Sequence, residues 1–195
     1  FREVSAHVPI VHVWDDHEVH DNWWPGQHLE DERYTERAID VLAARARRAM
    51  FEHTPTMRAP EAPMYRSLRW GPHVELFLLD GRSFRTPNQP EPERERFFGE
   101  TQVAWLVDAM ARSKATWKLV ACDMPIALLL AEKRRGGGLA WDGIANPGKG
   151  AAPSGREVEV AGLLGALRAR RAQNVVWLTA DVHYAAVHHL DPARA

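Results

Sequence analysis

The sequence has 195 residues, 45% of them hydrophobic, which is enough to bury the core of one globular domain or most of one. Lys and Arg total 25 against 26 Asp and Glu, so the formal net charge of −1 gives no electrostatic basis for binding nucleic acid or an acidic membrane. No apolar run approaches the roughly 20 residues that a membrane-spanning helix needs, and the single cysteine, Cys122, excludes an intrachain disulfide.

The first predicted element is a buried strand over residues 9–14, because most of its residues are β-branched or aromatic. It ends in Asp-Asp-His-Glu at residues 15–18, and Asn22 follows. An acidic pair often does no more than end a strand in a solvated turn. Three carboxylates beside a histidine, however, repel one another unless a cation lies among them, so we favour a metal site here.

The rest of the chain alternates helices and strands, a pattern typical of an α/β domain. The predicted elements are a helix over 32–51, a hairpin of strands over 64–70 and 73–80, a helix over 100–113, a strand over 117–122, a helix over 157–172 and a strand over 174–179. Thr101 is the expected cap of the second helix. The histidines at 188 and 189 are expected on the surface of a further strand. Residues 131–155 form a long predicted loop, typical of a functional lid or a disordered insertion.

Two further predicted strands also end near an acid. The strand over 73–80 ends in Asp80, and we expect this carboxylate to orient Arg82 through a bidentate pair. The last strand is followed by Asp181 and His183. These lie two positions apart, so an extended segment would point both side chains toward a shared metal. A plain strand cap and a satisfied turn histidine are the alternatives for these two segments.

Four segments together resemble the PhoD-type alkaline phosphatases (the alkaline phosphatase D family) of the metallophosphoesterase superfamily. They are Trp14-Asp15-Asp16-His17-Glu18-Val19 with Asn22-Trp23, Leu79-Asp80-Gly81-Arg82-Ser83-Phe84-Arg85, Trp141-Asp142-Gly143 and Asp181-Val182-His183. Phe84 stands where the family usually has tyrosine, and Ala180 where it has glycine. The metal-binding histidine of many superfamily members is absent from residues 123–126, as it generally is in PhoD-type members.

The resemblance implies an α/β fold of the metallophosphoesterase type, with a layered β-sheet core flanked by helices and incomplete at both ends. It also implies that residues 1–195 are the central to late part of a single catalytic domain, because the family's Gly-Asp motif and iron-ligating cysteine would precede Phe1. We therefore expect the isolated chain to bind metal incompletely and to have little activity or none.

Residue by residue, the resemblance implies that Asp16 replaces a metal-ligating asparagine and that His17 helps to protonate the leaving group. Asp181 and His183 are implied metal ligands, and Asn22 is an implied ligand or phosphate contact. The other matched residues are expected to contact substrate or to orient these groups. They are Asp15, Glu18, Asp80, Arg82, Trp141 and Asp142.

The implied function is metal-dependent hydrolysis of small phosphoesters, either monoesters or diesters, by a metal-activated hydroxide, with Ca²⁺ and Fe³⁺ as implied cofactors. The family likeness also implies export of the whole protein to the periplasm or the cell exterior. Two alternatives remain: another binuclear metallohydrolase, and a non-catalytic or degenerate metal-binding domain. The presence of Asp16, His17, Asp181 and His183 favours a working enzyme.

Overall fold

The computed structural model describes residues 2–54, 61–88, 95–128, 142–145 and 152–189. Within these residues the elements, in chain order, are α1 (Arg2–His7), α2 (Ile39–His53), β1 (Arg66–Trp70), β2 (Val74–Leu78), α3 (Glu100–Arg112), β3 (Trp117–Ala121), α4 (Arg156–Ala169) and β4 (Val175–Leu178). No helix in this part of the chain is both long and apolar enough to cross a membrane.

The strands form one mixed sheet in the order β1-β2-β3-β4. β1 and β2 make the predicted antiparallel hairpin, whereas β2, β3 and β4 run parallel. Helix α3 connects β2 to β3, and helix α4 connects β3 to β4. The predicted α/β fold, with a sheet flanked by helices, is confirmed. Because the three parallel strands share one direction, the segments that follow them meet at the same edge of the sheet.

The main core contains residues from the sheet and from α3 and α4. Phe77 of β2 and Val120 of β3 are fully buried in one cluster with Leu106 and Met110 of α3 and Leu163 of α4. On α3 the buried positions recur every three or four residues, which is the spacing that brings side chains onto one face of a helix. The amphipathic pattern therefore predicted this helix correctly.

The predicted strand over residues 9–14 is wrong. Its residues have strand propensity, but a strand also needs a neighbour with which to share hydrogen bonds, and this segment pairs with no strand in the described part of the chain. Side chains hold it instead. Arg66 donates to the carbonyl of His12 at 2.7 Å, and Trp14 packs edge-on against Trp23 with ring centroids 5.4 Å apart.

Helix α2 begins at Ile39 rather than at the predicted residue 32. The chain before it makes an isolated antiparallel bridge between His28 and Ala38. The N–H of Ile39 also donates to the carbonyl of Gln27 at 3.0 Å. These bonds hold the residues before 39 in a loop, so the helix starts only at Ile39.

The predicted cap at Thr101 is also wrong. The N-cap residue of helix α3 is Gly99, whose φ of 77° is readily accessible only to glycine. It has no side chain that could cap the helix. The N–H groups ahead of the helix are satisfied by Glu159 of α4, which accepts from Phe97 at 2.9 Å, Phe98 at 2.7 Å and Gly99 at 2.9 Å. A residue distant in sequence thus supplies the cap.

Candidate functional site

Acidic residues follow each of the three parallel strands. Asp80 comes after β2, Asp123 after β3 and Asp181 after β4. Backbone pairing continues past the strand ends, because the N–H of Ala180 donates to the carbonyl of Asp123 at 3.0 Å. The carboxyl edge of such a sheet is where α/β proteins commonly bind ligands.

The motif at residues 15–18 forms a turn that holds Asp16. This carboxylate is 2% exposed and accepts the N–H of His17 at 2.7 Å and that of Asn22 at 2.8 Å. Asn22 has a φ of 54°, a left-handed conformation that asparagine adopts more readily than most residues. Glu18 accepts the N–H of residue 15 at 2.7 Å, so it stabilises the same turn.

Two overlapping groups of side chains could hold a metal ion. Asp15, Asp16 and Asp181 have carboxylate oxygens within 4.8 Å of one another. Asp16, His17 and Asp21 meet the same limit, although His17 and Asp21 are exposed. Nε2 of His17 lies 3.6 Å from Oδ1 of Asp21. Asp16 belongs to both groups, so it lies at the centre of the cluster.

A polar pocket adjoins these groups, with a volume of about 360 Å³ that includes open solvent. Its lining residues are Asp16, His17, Asp21, Asn22, Asp142, Asp181 and His183. The structure therefore brings together every residue predicted as catalytic or metal-binding. His183 lines the pocket but belongs to neither of the groups defined by the 4.8 Å limit.

The expectation of an extended segment at Asp181 and His183 is wrong. Their φ values are 72° and 56°, and the N–H of Val182 donates to the carbonyl of Ala180 at 2.9 Å, so the chain turns here. Both residues still line the same pocket. Residues 185–189 are exposed and form no strand, so the two histidines at 188 and 189 are surface residues, as predicted, but do not belong to a strand.

Arg82 is fully buried, and its guanidinium lies among acids from three other segments. It donates to both carboxylate oxygens of Asp142 at 2.9 and 3.0 Å and to Oδ1 of Asp15 at 2.8 Å. Its Nε also lies 3.2 Å from Oδ2 of Asp123. The predicted bidentate pair with Asp80 is wrong, because Asp80 accepts backbone N–H groups of the turn that follows it.

Four polar residues around this arginine were not predicted as site residues: Arg85, Asn88, Asp123 and Arg156. Arg85 and Asn88 both donate to Oδ1 of Asp142, and Arg156 donates to Oδ1 of Asn88 at 2.7 Å. Asp123 could have been found from its position after a strand, which it shares with the other strand-end acids. Asn88 and Arg156 follow no local pattern that would have indicated them.

Burial and charge shift the pKa values of the acids in opposite directions. Desolvation, together with repulsion by Asp15 and Asp142, raises the pKa of Asp181 to about 6. Desolvation also raises the pKa of Asp123 to about 6, although two neighbouring arginines oppose it. Burial likewise disfavours the charged form of Asp142, but the same arginines prevail and lower its pKa.

Trp141 and most of the loop predicted over residues 131–155 lie outside the described residues. A substrate contact by Trp141 and a lid role for the loop therefore stay predictions. Asp142 lies in the short described segment 142–145, where its carbonyl accepts a hydrogen bond from Arg156 at 3.0 Å.

The sequence model of the PhoD-like phosphatase family matches residues 1–195. The chain therefore belongs to the PhoD-like phosphatase family. It is similar to the curated protein "Alkaline phosphatase D" of Bacillus subtilis (strain 168), at 26% identity over 215 aligned positions that cover 97% of this chain and 34% of the relative.

A solved structure described as "Structure of PhoD" superimposes with a TM-score of 0.61 at 22% identity, covering 88% of this chain and 34% of that one. This likeness supports the fold alone. The chain spans about a third of the length of both relatives. The activity, substrates and partners of the whole protein are therefore given below as proposals.

Proposed function

We propose that this chain forms the carboxylate-rich part of the active site of a metal-dependent phosphoester hydrolase, within a single catalytic domain. The observation that carries the proposal is the convergence of Asp15, Asp16 and Asp181, whose oxygens lie within 4.8 Å of one another beside a polar pocket. Family membership supplies the reaction class, and the cluster supplies a place for cations.

The donor set fits a hard divalent cation. Carboxylate oxygens are the ligands that Ca²⁺ prefers. The pKa of Asp181 is raised first by desolvation and then by the negative charges of Asp15 and Asp142, and a cation bound among these carboxylates would offset that repulsion. Bound cations would neutralise charge on the phosphoryl oxygens and lower the pKa of a water molecule. The family's iron is held in part by a cysteine, and the single cysteine of this sequence, Cys122, is buried with its thiol against Asp123. Fe³⁺ therefore rests on the family likeness alone.

The chain's own residues would divide the remaining work. Asp16, fixed by two backbone N–H groups, would hold a cation together with Asp181, and His183 and Asn22 would contact the cation or the phosphate from the pocket wall. His17 is exposed at the pocket and would donate the proton that the leaving alkoxide needs.

The substrate class that we propose is a small phosphoester, and the pocket geometry favours neither monoesters nor diesters. Export of the whole protein is a further proposal and rests on family likeness alone.

The test compares Asp16→Ala with His17→Ala in the longest protein that contains this sequence. Asp16→Ala should lose bound Ca²⁺. His17→Ala should keep Ca²⁺ and lose turnover by about 10²–10⁴-fold, most strongly with poor leaving groups. Ca²⁺ content is measured by elemental analysis, and turnover on nitrophenyl phosphate and bis-nitrophenyl phosphate.

His188→Ala, which removes an exposed histidine away from the pocket, is the matched control. Equal loss of Ca²⁺ in both test variants would contradict the role of His17. Activity that survives chelation would contradict metal dependence. A protein that binds Ca²⁺ but hydrolyses neither ester would favour the binding-domain alternative.

A further inference from the structure

A buried acid lies between the candidate cation site and the core. The side chain of Asp123 is 0% exposed, and its Oδ2 lies 3.2 Å from Nε of Arg82 and 3.5 Å from Nη2 of Arg85. The thiol of Cys122 contacts its other oxygen at 3.3 Å. Asp123 does not line the pocket, so it cannot itself contact a substrate there.

Arg82 links this acid to the cation cluster. Its Nη2 and Nε donate to Oδ1 of Asp15 at 2.8 and 3.2 Å. The guanidinium makes no hydrogen bond to the other carboxylate oxygen of Asp15 among the described contacts. Because a guanidinium is planar and rigid, fixing it on one side fixes the carboxylate on the other.

The main chain of Asp123 reaches the second part of the cluster. Its carbonyl accepts the N–H of Ala180 at 3.0 Å, and Asp181 is the next residue. One residue after β3 thus adjoins both loops that supply the cluster, one through a side chain and the other through the backbone. Its side-chain link can be tested by substitution without removing the backbone link.

We propose that Asp123 is a positioning residue that, together with the two hydrogen bonds from Asp142, fixes Arg82 and, through it, the carboxylate of Asp15 in the orientation that cation binding needs. The cation-binding part rests on the function proposed above. Arg82 and Arg85 both pair with the carboxylate of Asp123, so without its charge the two buried guanidinium groups repel each other more strongly. The guanidinium of Arg82 then shifts, and Asp15 loses its fixed orientation. Outer residues that orient metal ligands typically change metal affinity by about 10–100-fold.

The test is Asp123→Asn, which keeps the shape of the side chain and removes its charge. Cys122→Ala is the matched control, because it changes a neighbouring buried side chain and leaves the Asp123–Arg82 pair intact. Both variants are made in the longest protein that contains this sequence and studied at pH 8 after circular dichroism has verified the fold. Tb³⁺ serves as the probe of the cation site, and the Nε–H resonance of Arg82 serves as the probe of positioning.

Asp123→Asn should weaken Tb³⁺ binding by about 10–100-fold and make the Nε–H proton of Arg82 exchange with water about 10-fold faster or more. Cys122→Ala should leave both measurements unchanged. An unchanged Nε–H resonance in Asp123→Asn overturns the proposal whatever Tb³⁺ does, and so does an equal effect of the two variants.

The failure of the proposed function would look different. If the unchanged protein does not bind Tb³⁺ while Asp123→Asn still frees the Nε–H of Arg82 from Asp15, the cation site is refuted and the positioning of Arg82 by Asp123 is upheld. If Asp123→Asn alone does not fold, the double variant with Arg85→Gln removes one base together with the acid and restores the buried charge balance. Normal Tb³⁺ affinity in that double variant would overturn the proposal.

Discussion

Gly81 lies against the buried carboxylate of Asp123, and its replacement by alanine tests how tightly this region is packed. A Cβ added at residue 81 would be 2.1 Å from Oδ1 of Asp123 and 2.6 Å from its Cγ, whereas real Cβ atoms essentially never come closer than 3.0 Å. The φ of Gly81 is not in the left-handed region, so the backbone itself accepts alanine. Any loss of stability must therefore come from the clash.

The expected cost follows from what would have to move. Asp123 would be displaced by roughly 1 Å while its side chain is fully enclosed, and overpacking of a core typically costs about 1–3 kcal/mol. The displacement also weakens its ion pairs with two buried arginines, and complete loss of such a pair costs about 3–5 kcal/mol. We therefore expect Gly81→Ala to lower the free energy of unfolding by about 2–5 kcal/mol.

Urea denaturation measures this directly. With a slope of about 2 kcal/mol per molar urea, the midpoint should fall by about 1–2.5 M. Gly162→Ala is the control, because an added Cβ there meets nothing within 4 Å and residue 162 lies in α4. That control should stabilise the chain by up to about 1 kcal/mol. A Gly81→Ala variant within about 0.5 kcal/mol of the unchanged chain would refute the reasoning.

Three further predictions concern single side chains. Because the pKa of Asp181 is raised from 3.8 to about 6, chiefly by desolvation, its contribution to stability is full below pH 4 and is lost as the pH rises through 6. Metal-free Asp181→Asn should thus gain stability relative to the unchanged chain between pH 4 and 7, measured by urea unfolding in chelator, and a constant difference would contradict this. Glu159→Gln should cost about 1.5–3 kcal/mol, because one acceptor oxygen of the cap becomes a donor, and an unchanged urea midpoint would argue against the cap. Trp14→Phe should cost about 1–3 kcal/mol, because Asp80 loses the buried indole donor at 2.9 Å, and calorimetry that finds no change in Tm would exclude that contribution.

Local patterns were reliable where the physical cause is local. Helix α3 is marked by apolar residues at helical spacing, and β3 by a run of strand-forming residues, and both appear close to the predicted bounds. The spacing of apolar residues indicates which face of an element is buried. In a helix that face is formed by residues three or four positions apart, and in a strand by residues two positions apart. The segment at 9–14 failed because a strand depends on a partner that its own residues do not specify.

The partner of Arg82 illustrates the same limit at the site. The nearby Asp80 was the natural expectation from the sequence, yet the guanidinium pairs with Asp142, 60 residues away, and with Asp15, 67 residues away. Such pairs arise only when the chain path brings loops together. No spacing rule along the sequence encodes them.

The sequence by itself determined the α/β class, the acids that follow the strands and membership of the PhoD-like phosphatase family, because each depends on residue types in short segments. Only the tertiary structure decided which of those acids converge. Asp15, Asp16 and Asp181 form one cluster, whereas Asp123 turns inward to the buried arginines. The physical reason is that burial, backbone conformation and the competition for each hydrogen-bond donor are set by the packing of the whole chain.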